Sequence, residues 1–253
     1  MLKIENVEVM GWEAAIRGMR NPMNSWEQSD SGWDESIYHN DKDYITVMSE
    51  DFSDYEVGPD DRDLMKRLRN AGTDHRKFMR MITVYADITA PLYWWKEFDT
   101  YKVGTVANSC STMHKIQAKE FTLEDFSSEH LINYDLYSCN EVDGPVINGA
   151  PHIGCGGLQL LNLAINVLNY YRGKYLSTKD KKYWWQMIQL LPSSYNQRRT
   201  VMLNYEVLAN MYKSRKNHKL DEWHVLCEWI KGLPYSELIT GIFDEPEAGK
   251  NEV

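Results

Sequence analysis

An alternating stretch at residues 78–88, FMRMITVYADI, constrains the fold most strongly. Apolar residues recur at every second position on one side, which predicts a β-strand over residues 79–88. A helix is expected almost at once, because Thr89 can cap it and Pro91 is tolerated in a first helical turn. We expect this helix, PLYWWKEFDTYK, to run to Lys102 and Gly104. A strand that passes directly into a helix requires a sheet with helices packed on it.

The remaining elements extend this pattern. Residues 1–9 alternate like an edge strand, and residues 11–19 are typical of a short helix. Asp60 or Asp61 can cap a helix whose buried side carries Leu64, Met65 and Leu68 and which Gly72 ends. From Leu158 the chain is predicted helical, including one long helix over RRTVMLNYEVLANMYKSR.

These elements predict the α+β class, with a central mixed or antiparallel sheet packed by helices and a largely helical C-terminal half. We expect one domain over residues 1–243, because 253 residues at 43% hydrophobic content can bury one sizeable core. Loop-rich insertions are predicted near residues 20–60 and 116–157, with a short strand near 44–49. Residues 244–253 are predicted to form a mobile acidic tail.

The formal charge of −9 argues against nucleic acid or an anionic membrane as the main partner. It leaves room for a local basic pocket that holds a small anion. The first thirty residues contain no signal-peptide core, and no apolar run approaches the roughly 20 residues of a spanning helix. The sequence therefore predicts a soluble, cytoplasmic protein.

Cysteine and histidine spacing gives no metal motif. The four cysteines are far apart, which favours reduced thiols over a disulfide framework. The six-residue interval between His218 and His224 does not place both imidazoles on one helical face. No metal is therefore predicted.

Several other features could take part in ligand binding or catalysis, but each could instead have a purely structural role. Gly154, Gly156 and Gly157 precede a helix and could hold a phosphate, but a plain loop is favoured because the P-loop lysine is missing. The tryptophan pairs at 94–95 and 184–185 could stack on a flat ring or fill the core. Cys110 could be a nucleophile or could have a packing or capping role. His75, Arg76 and Lys77 could bind an anion or form a solvated turn.

The order of these features resembles the flavin-dependent thymidylate synthase (ThyX) family. That family carries RHRxxSxNExSxRY after a helix with Gln-Trp, and here the corresponding segment is TYKVGTVANSCSTMH. Thr100 to Lys102 align with the RHR of this signature, and Thr105 or Val106 aligns with its first serine. Asn108 and Ser111 match in type and spacing. The family's Glu, Arg and Tyr fall on Ser109, Met113 and His114.

A second region, LLPSSYNQRRTVMLNYEVLANMYKSRKNHKLDEW, is similar to the family's Leu-Pro turn, its Asn-containing helix and its Arg-to-Trp ending. The correspondences are Leu191, Pro192, Asn204, Leu208, Asn210, Arg215, His218 and Trp223. The resemblance covers roughly residues 60–115 and 185–235. It implies ligand contacts from Tyr101, Lys102, Asn108, Ser111, Asn204, Asn210, Arg215 and His218, with no catalytic residue assigned.

The resemblance also implies FAD as a cofactor, a pyrimidine deoxynucleotide as substrate and a homotetramer. The first signature, however, keeps only Lys102 where the family has several cations, and charge-assisted phosphate contacts contribute ~1.5 to 3 kcal/mol each. We therefore expect a protein that binds a nucleotide or a similar anion without standard thymidylate synthase activity. An active synthase and a protein-interaction module on the same scaffold stay open as alternatives.

Overall fold

The computed structural model describes residues 2–33, 55–133 and 156–241. Its strands are β1 Lys3–Met10, β2 Gly32–Trp33, β3 Tyr55–Glu56, β4 Thr83–Pro91, β5 Val106–Ser109 and β6 Asn196–Asn204. Its α-helices are α1 Trp12–Arg20, α2 Pro59–Asn70, α3 Leu92–Phe98, α4 Thr112–Lys115, α5 Gly157–Thr178, α6 Lys181–Leu190, α7 Tyr205–Arg215, α8 Asp221–Lys231 and α9 Glu237–Thr240.

Four strands form one sheet in the order β1-β4-β6-β5, and β2 pairs with β3 in a small antiparallel sheet. The predicted α+β class is confirmed. The N-terminal strand lies at an edge of the larger sheet, as the alternation of residues 1–9 predicts.

Strand β4 keeps the predicted alternation, but it begins four residues later than expected. Ile82, Val84, Ala86 and Ile88 are buried, whereas residues 76–80 form a 3-10 helix that buries Phe78 and Met79. An apolar pair followed by a basic residue suits that short helix as well as a strand, and tertiary burial decides between them.

Helix α3 follows β4 directly, as predicted, but it is shorter than expected. Pro91 rather than Thr89 occupies the capping position, and no side chain caps the helix. The helix ends at Phe98, so residues 100–104 lie outside it. Gly104 has φ +79°, a left-handed conformation that ends regular structure and favours glycine.

The predicted long helix over residues 198–215 is wrong in its first half. Residues up to Asn204 form strand β6, in which Gln197, Val201 and Leu203 are buried. Helix α7 begins only at Tyr205, where the Asn204 Oδ1 accepts a hydrogen bond from the Val207 amide (2.9 Å). The rest of the C-terminal half is helical, as predicted.

The chain divides into two compact units. In the described part, the first unit contains residues 2–3, 89–99, 109–133 and 156–199. The second contains residues 4–33, 55–88, 100–108 and 200–241. The prediction of one domain over residues 1–243 stays a prediction.

The first unit has a core between α5, α6 and residues 116–126. Phe121 and Phe126 pack with Leu161, Leu168 and Met187 in this core. The aromatic pair of α3 is also buried, with Trp94 and Trp95 at 4.9 Å between ring centroids. The first tryptophan pair therefore fills the core rather than stacking on a ligand.

The second unit packs α1, α2, α7, α8 and α9. Trp12 meets the Tyr205 ring at 5.3 Å, and Leu208 and Leu226 are fully buried. Arg76, from the predicted basic cluster, forms an ion pair with Glu206 (2.8 Å). That contact gives Arg76 a structural role, but its side chain is 16% exposed, so it does not lie in a solvated turn.

Some predictions fall on residues outside the described ranges: the strand near 44–49, Gly154 and the tail at 244–253. Cys139 and Cys155 lie there too, whereas Cys110 and Cys227 are free thiols. Among the helices of residues 2–33, 55–133 and 156–241, none has the length and apolar character needed to cross a bilayer.

Candidate functional site

A cavity of about 460 Å³ opens in the first unit. It is bounded by residues 110–112 after β5, by residues 115–125, and by the start of β6 at residues 195–198. Ligand-binding cavities in proteins usually measure about 300–1,000 Å³, so this one is large enough for a nucleotide-sized molecule.

The backbone around Ser111 is fixed against β6. The Cys110 amide donates to the Arg198 carbonyl (3.0 Å), and the buried Gln197 side chain donates from Nε2 to the Cys110 carbonyl (2.9 Å). Ser111 itself caps α4, because its Oγ accepts from the His114 amide (3.0 Å). Ser111 and Cys110 are therefore held at the cavity wall.

The cavity wall carries more cations than carboxylates. Lys115, Lys119 and Arg198 line it together with Glu124 and Asp125. Lys119 forms an ion pair with Asp125, and this hydrogen bond raises the pKa of Lys119. The excess of positive charge would attract a small anion that binds near Lys115 and Arg198.

The rest of the wall is aromatic and apolar. Phe121 and Tyr195 have ring centroids 6.2 Å apart, and Ile116 lies beside them in the lining. Burial raises the pKa of Tyr195, and the Asp125 carboxylate adds to this effect. The Tyr195 hydroxyl therefore stays protonated at neutral pH and can donate a hydrogen bond.

A separate cluster in the second unit is built around Arg215. Its Nε donates to the Tyr101 hydroxyl (2.9 Å), and its guanidinium lies 4.5 Å from the Trp223 ring centroid. His218 is 6.2 Å from the same ring, and its Nδ1 accepts from the Leu220 amide (3.2 Å). The structure thus brings together Tyr101, Arg215 and His218 from the predicted set.

The other predicted site residues have different positions. Ser111 lines the cavity of the first unit, whereas Asn108 is exposed on β5 in the second. Lys102 and Asn210 are exposed. Asn204 is buried as the cap of α7, which gives it a structural role. Ligand contacts from these residues stay a prediction.

Ser111 is the one lining residue that belongs to the predicted site, and the sequence does not predict the cations Lys115, Lys119 and Arg198 or the ring of Tyr195. The four-residue spacing of the two lysines, just after Ser111, was a signal that could have been used. Arg198 was hidden because its segment was assigned to a helix rather than to the strand that brings it to the cavity. Cys110 is exposed at the same wall, so the structure does not support a packing role for it.

Known structures share this fold. A crystal structure of Thymidylate Synthase X (ThyX) from Helicobacter pylori with FAD and dUMP matches with a TM-score of 0.60 at 13% identity, over 95% of this chain and 98% of that one. The UMP/dUMP methylase PolB from Streptomyces cacaoi matches when bound with 5-Br dUMP, with a TM-score of 0.52 at 14% identity over 95% of each chain. Its complex with 5-Br UMP matches at 0.55 and 13%, over 95% of this chain and 94% of that one.

No family model and no curated protein matches the sequence. At identities this low, the structural likeness shows the fold alone. The resemblance predicted from the sequence is confirmed at that level, and the chain has a ThyX-like fold.

Proposed function

We propose that this chain binds a pyrimidine nucleoside monophosphate in the cavity of the first unit and does not carry out standard thymidylate synthesis. The observation that supports this most is the cavity itself, which brings cations and an aromatic wall beside Ser111. The likeness to a ThyX crystallised with dUMP and to PolB bound with 5-Br dUMP or 5-Br UMP supports the same ligand class.

Each part of the wall suits one part of such a ligand. Arg198 can hold a phosphate through a planar fork of donors, and Lys115 adds a mobile point charge. The protonated Tyr195 hydroxyl can donate to a base or sugar oxygen, and the Phe121 ring excludes water from the apolar side of the base. These roles require only the residues that line the cavity.

The donor set at residues 100–111 does not fit the phosphate grip that the family resemblance implies for a flavin. Lys102 is the one cation in that segment and is exposed, while the Tyr101 hydroxyl already accepts from Arg215. The pyrophosphate of FAD carries two negative charges, and a single exposed lysine leaves most of that charge without a partner. The proposed function therefore does not involve FAD.

Isothermal titration calorimetry with dUMP and UMP tests the nucleotide proposal. Arg198→Gln removes one charge-assisted contact, so the Kd is expected to rise by about 10- to 150-fold, which corresponds to ~1.5 to 3 kcal/mol. Lys115→Gln is expected to act in the same direction. An absence of binding by the wild-type protein, or unchanged affinity in both variants, contradicts the proposal.

Lys213→Gln is the matched control for this titration. It makes the same change of charge at an exposed position in the last turn of α7. Its Kd is expected to stay within about twofold of wild type, because Lys213 does not line the cavity and an exposed charge is largely screened. Circular dichroism of each variant confirms that it is folded.

We also propose that the Arg215 cluster of the second unit is a second anion site. Stacking on Trp223 holds the guanidinium in place, which reduces the entropy lost when it binds an anion. Calorimetry with inorganic phosphate tests this site, and Arg215→Ala is expected to weaken the binding. Unchanged phosphate affinity in a folded Arg215→Ala variant would contradict anion binding by this cluster.

An active flavin-dependent synthase is the second candidate, favoured by the match to a ThyX crystallised with FAD and dUMP. A homo-oligomer belongs to this candidate by resemblance. Flavin absorbance in the purified protein, together with growth of a thymidine-requiring strain that expresses it, would establish this candidate and refute the loss of synthase activity. We expect neither result.

A further inference from the structure

Helices α5 and α6 carry an unusual charge for this chain. Residues 157–190 contain five basic residues and one acidic residue, a local net charge of +4, whereas the whole chain carries −9. The basic residues are Arg172, Lys174, Lys179, Lys181 and Lys182. They fall between residues 172 and 182, where the end of α5 meets the start of α6. We call the surface formed by residues 170–185 the basic aromatic face.

Aromatic rings are interleaved with these charges. Tyr170 and Trp185 are 59% and 43% exposed, so both rings are accessible at the surface. Ammonium groups lie over the rings, with Lys174 Nζ 5.5 Å from the Tyr170 centroid and Lys181 Nζ 5.7 Å from that of Trp185. Positive charge and flat apolar surface are therefore presented side by side.

The face is held in place by contacts within the first unit. Tyr171 of α5 stacks on Tyr183 of α6, with centroids 6.2 Å apart and planes inclined by 27°. Trp184 Nε1 donates to the Met113 carbonyl (3.0 Å), and Arg172 Nε donates to the Gln117 carbonyl (3.0 Å). The exposed rings of Tyr170 and Trp185 pack against these fixed neighbours, with centroids 5.3 Å from Tyr171 and 4.8 Å from Trp184. They therefore lose little conformational freedom when a partner stacks on them.

We propose that the basic aromatic face binds single-stranded nucleic acid. A single strand offers phosphates to the lysines and unpaired bases to the exposed rings, and proteins that bind single strands combine these two features. An acidic protein segment would match the charge but would leave the ring faces unused. The negative charge of the whole chain does not prevent this binding, because exposed charges beyond about 10 Å are largely screened at 0.1 M salt.

Fluorescence anisotropy with a labelled oligothymidylate of about 15 nucleotides tests the proposal, since this length covers known site sizes. The wild-type protein is expected to bind, with log affinity falling linearly with log salt concentration. Each phosphate contact contributes about −0.7 to that slope. The double variant Lys181→Gln/Lys182→Gln is therefore expected to make the slope shallower by about 1.4.

The double variant Lys213→Gln/Lys216→Gln is the charge-matched control, because both lysines are exposed at the end of α7. Its slope is expected to equal that of wild type. Trp185→Ala is expected to weaken binding about tenfold without changing the slope, because base stacking carries no charge. Trp33→Ala, which removes an exposed tryptophan of the second unit, is expected to have no effect.

Four results overturn the proposal. The first is no binding by the wild-type protein, and the second is binding that is equally strong in the α6 and α7 lysine variants. The third is displacement of the oligonucleotide by poly-glutamate as readily as by unlabelled oligothymidylate, which would indicate an acidic protein partner. Displacement by dUMP at its own Kd would place the strand in the cavity, and this too contradicts binding at the face. If the basic aromatic face does not bind the oligonucleotide, the proposal that dUMP binds in the cavity still stands on its own calorimetric test.

Discussion

At the scale of single residues, Asp61 is the most deeply buried charged side chain among the residues that the structure describes. It is fully buried and pairs with Arg20, which is 4% exposed, at 2.6 Å from Nε to Oδ1. The hydroxyls of Ser29 and Ser31 donate to its other oxygen. Asp61 thus connects α1, the segment before β2, and α2.

Removing this carboxylate is expected to destabilise the protein strongly. Asp61→Asn leaves the Arg20 guanidinium buried without a counter-charge, which costs about 3–5 kcal/mol of unfolding free energy. Asp63→Asn is the control on the same helix, since its pair with Arg67 is 67% and 69% exposed and contributes at most about 1 kcal/mol. Urea denaturation measures both variants, and equal losses would contradict the assignment.

Tyr205 gives a pH dependence that can be tested. Burial raises its pKa well above 10.0, and its hydroxyl donates to the Pro234 carbonyl. Because the folded state disfavours the phenolate, this stabilisation is complete below the unfolded pKa of about 10. It is lost as the pH rises from there toward the folded value.

Tyr205→Phe is therefore expected to lower the free energy of unfolding at pH 8 and to make its decline above pH 10 shallower. The lost hydrogen bond costs about 1 kcal/mol. Tyr170→Phe, at an exposed site, should follow the wild-type curve. Chemical denaturation at a series of pH values gives the comparison, and a Tyr205→Phe curve parallel to wild type would count against this origin of the alkaline loss.

At the scale of elements, the boundary between β6 and α7 was the main feature that the sequence predicted wrongly. Apolar residues continue from Val201 into α7 with only the single polar residues Asn204 and Glu206 between them, so no polar loop marks the change of period from two to 3.6. The usable signal was Asn204, since asparagine is a preferred capping residue. It was instead assigned to a ligand because the family resemblance placed it there.

The cap of α7 can be measured directly. Asn204→Ala is expected to cost about 0.5–2 kcal/mol, because the Val207 amide loses its acceptor. Asn204→Asp keeps an acceptor and should cost less. Asn210→Ala, at an exposed position of the same helix, should stay within about 0.5 kcal/mol of wild type. Thermal or urea unfolding that ranks Asn210→Ala as the most damaging would refute the capping role.

The start of α2 shows why caps are hard to assign from sequence. Asp60 and Asp61 lie inside the first turn after Pro59, so their own amides are the groups that need acceptors. Asp30, thirty residues earlier, accepts from both amides at 2.8 and 3.0 Å. Local spacing predicted the helix correctly, but only the tertiary fold determines which carboxylate caps it.

At the scale of the whole molecule, the fold was more predictable than the site. Strand β4, helix α3 and the C-terminal helices follow from periodicity, and the ordered motifs led to the ThyX-like fold that the solved structures share. The cavity could not be derived in this way. Its cations come from residues 115, 119 and 198, which are distant in sequence and are brought together by the pairing of Cys110 with β6 and of residues 126–127 with residues 194–195.

Charge distribution is likewise a property of the whole chain. A total of −9 predicts little attraction for polyanions, yet residues 157–190 carry +4 and the cavity wall carries an excess cation. The total charge does not reveal these regions, because their positive charges are summed with the negative charges of the rest of the chain. Local charge, combined with exposed rings or an enclosed wall, therefore indicates more about binding than the total does.

The central claim is that cations in the cavity of the first unit recognise the phosphate of a pyrimidine nucleotide. Calorimetric titration of the wild-type protein with dUMP and with deoxyuridine tests it most directly, because the two ligands differ only in the phosphate. We expect dUMP to bind at least tenfold more tightly, since even one charge-assisted contact contributes ~1.5 kcal/mol or more. Equal affinity for the two ligands, or no binding of dUMP, would contradict the claim.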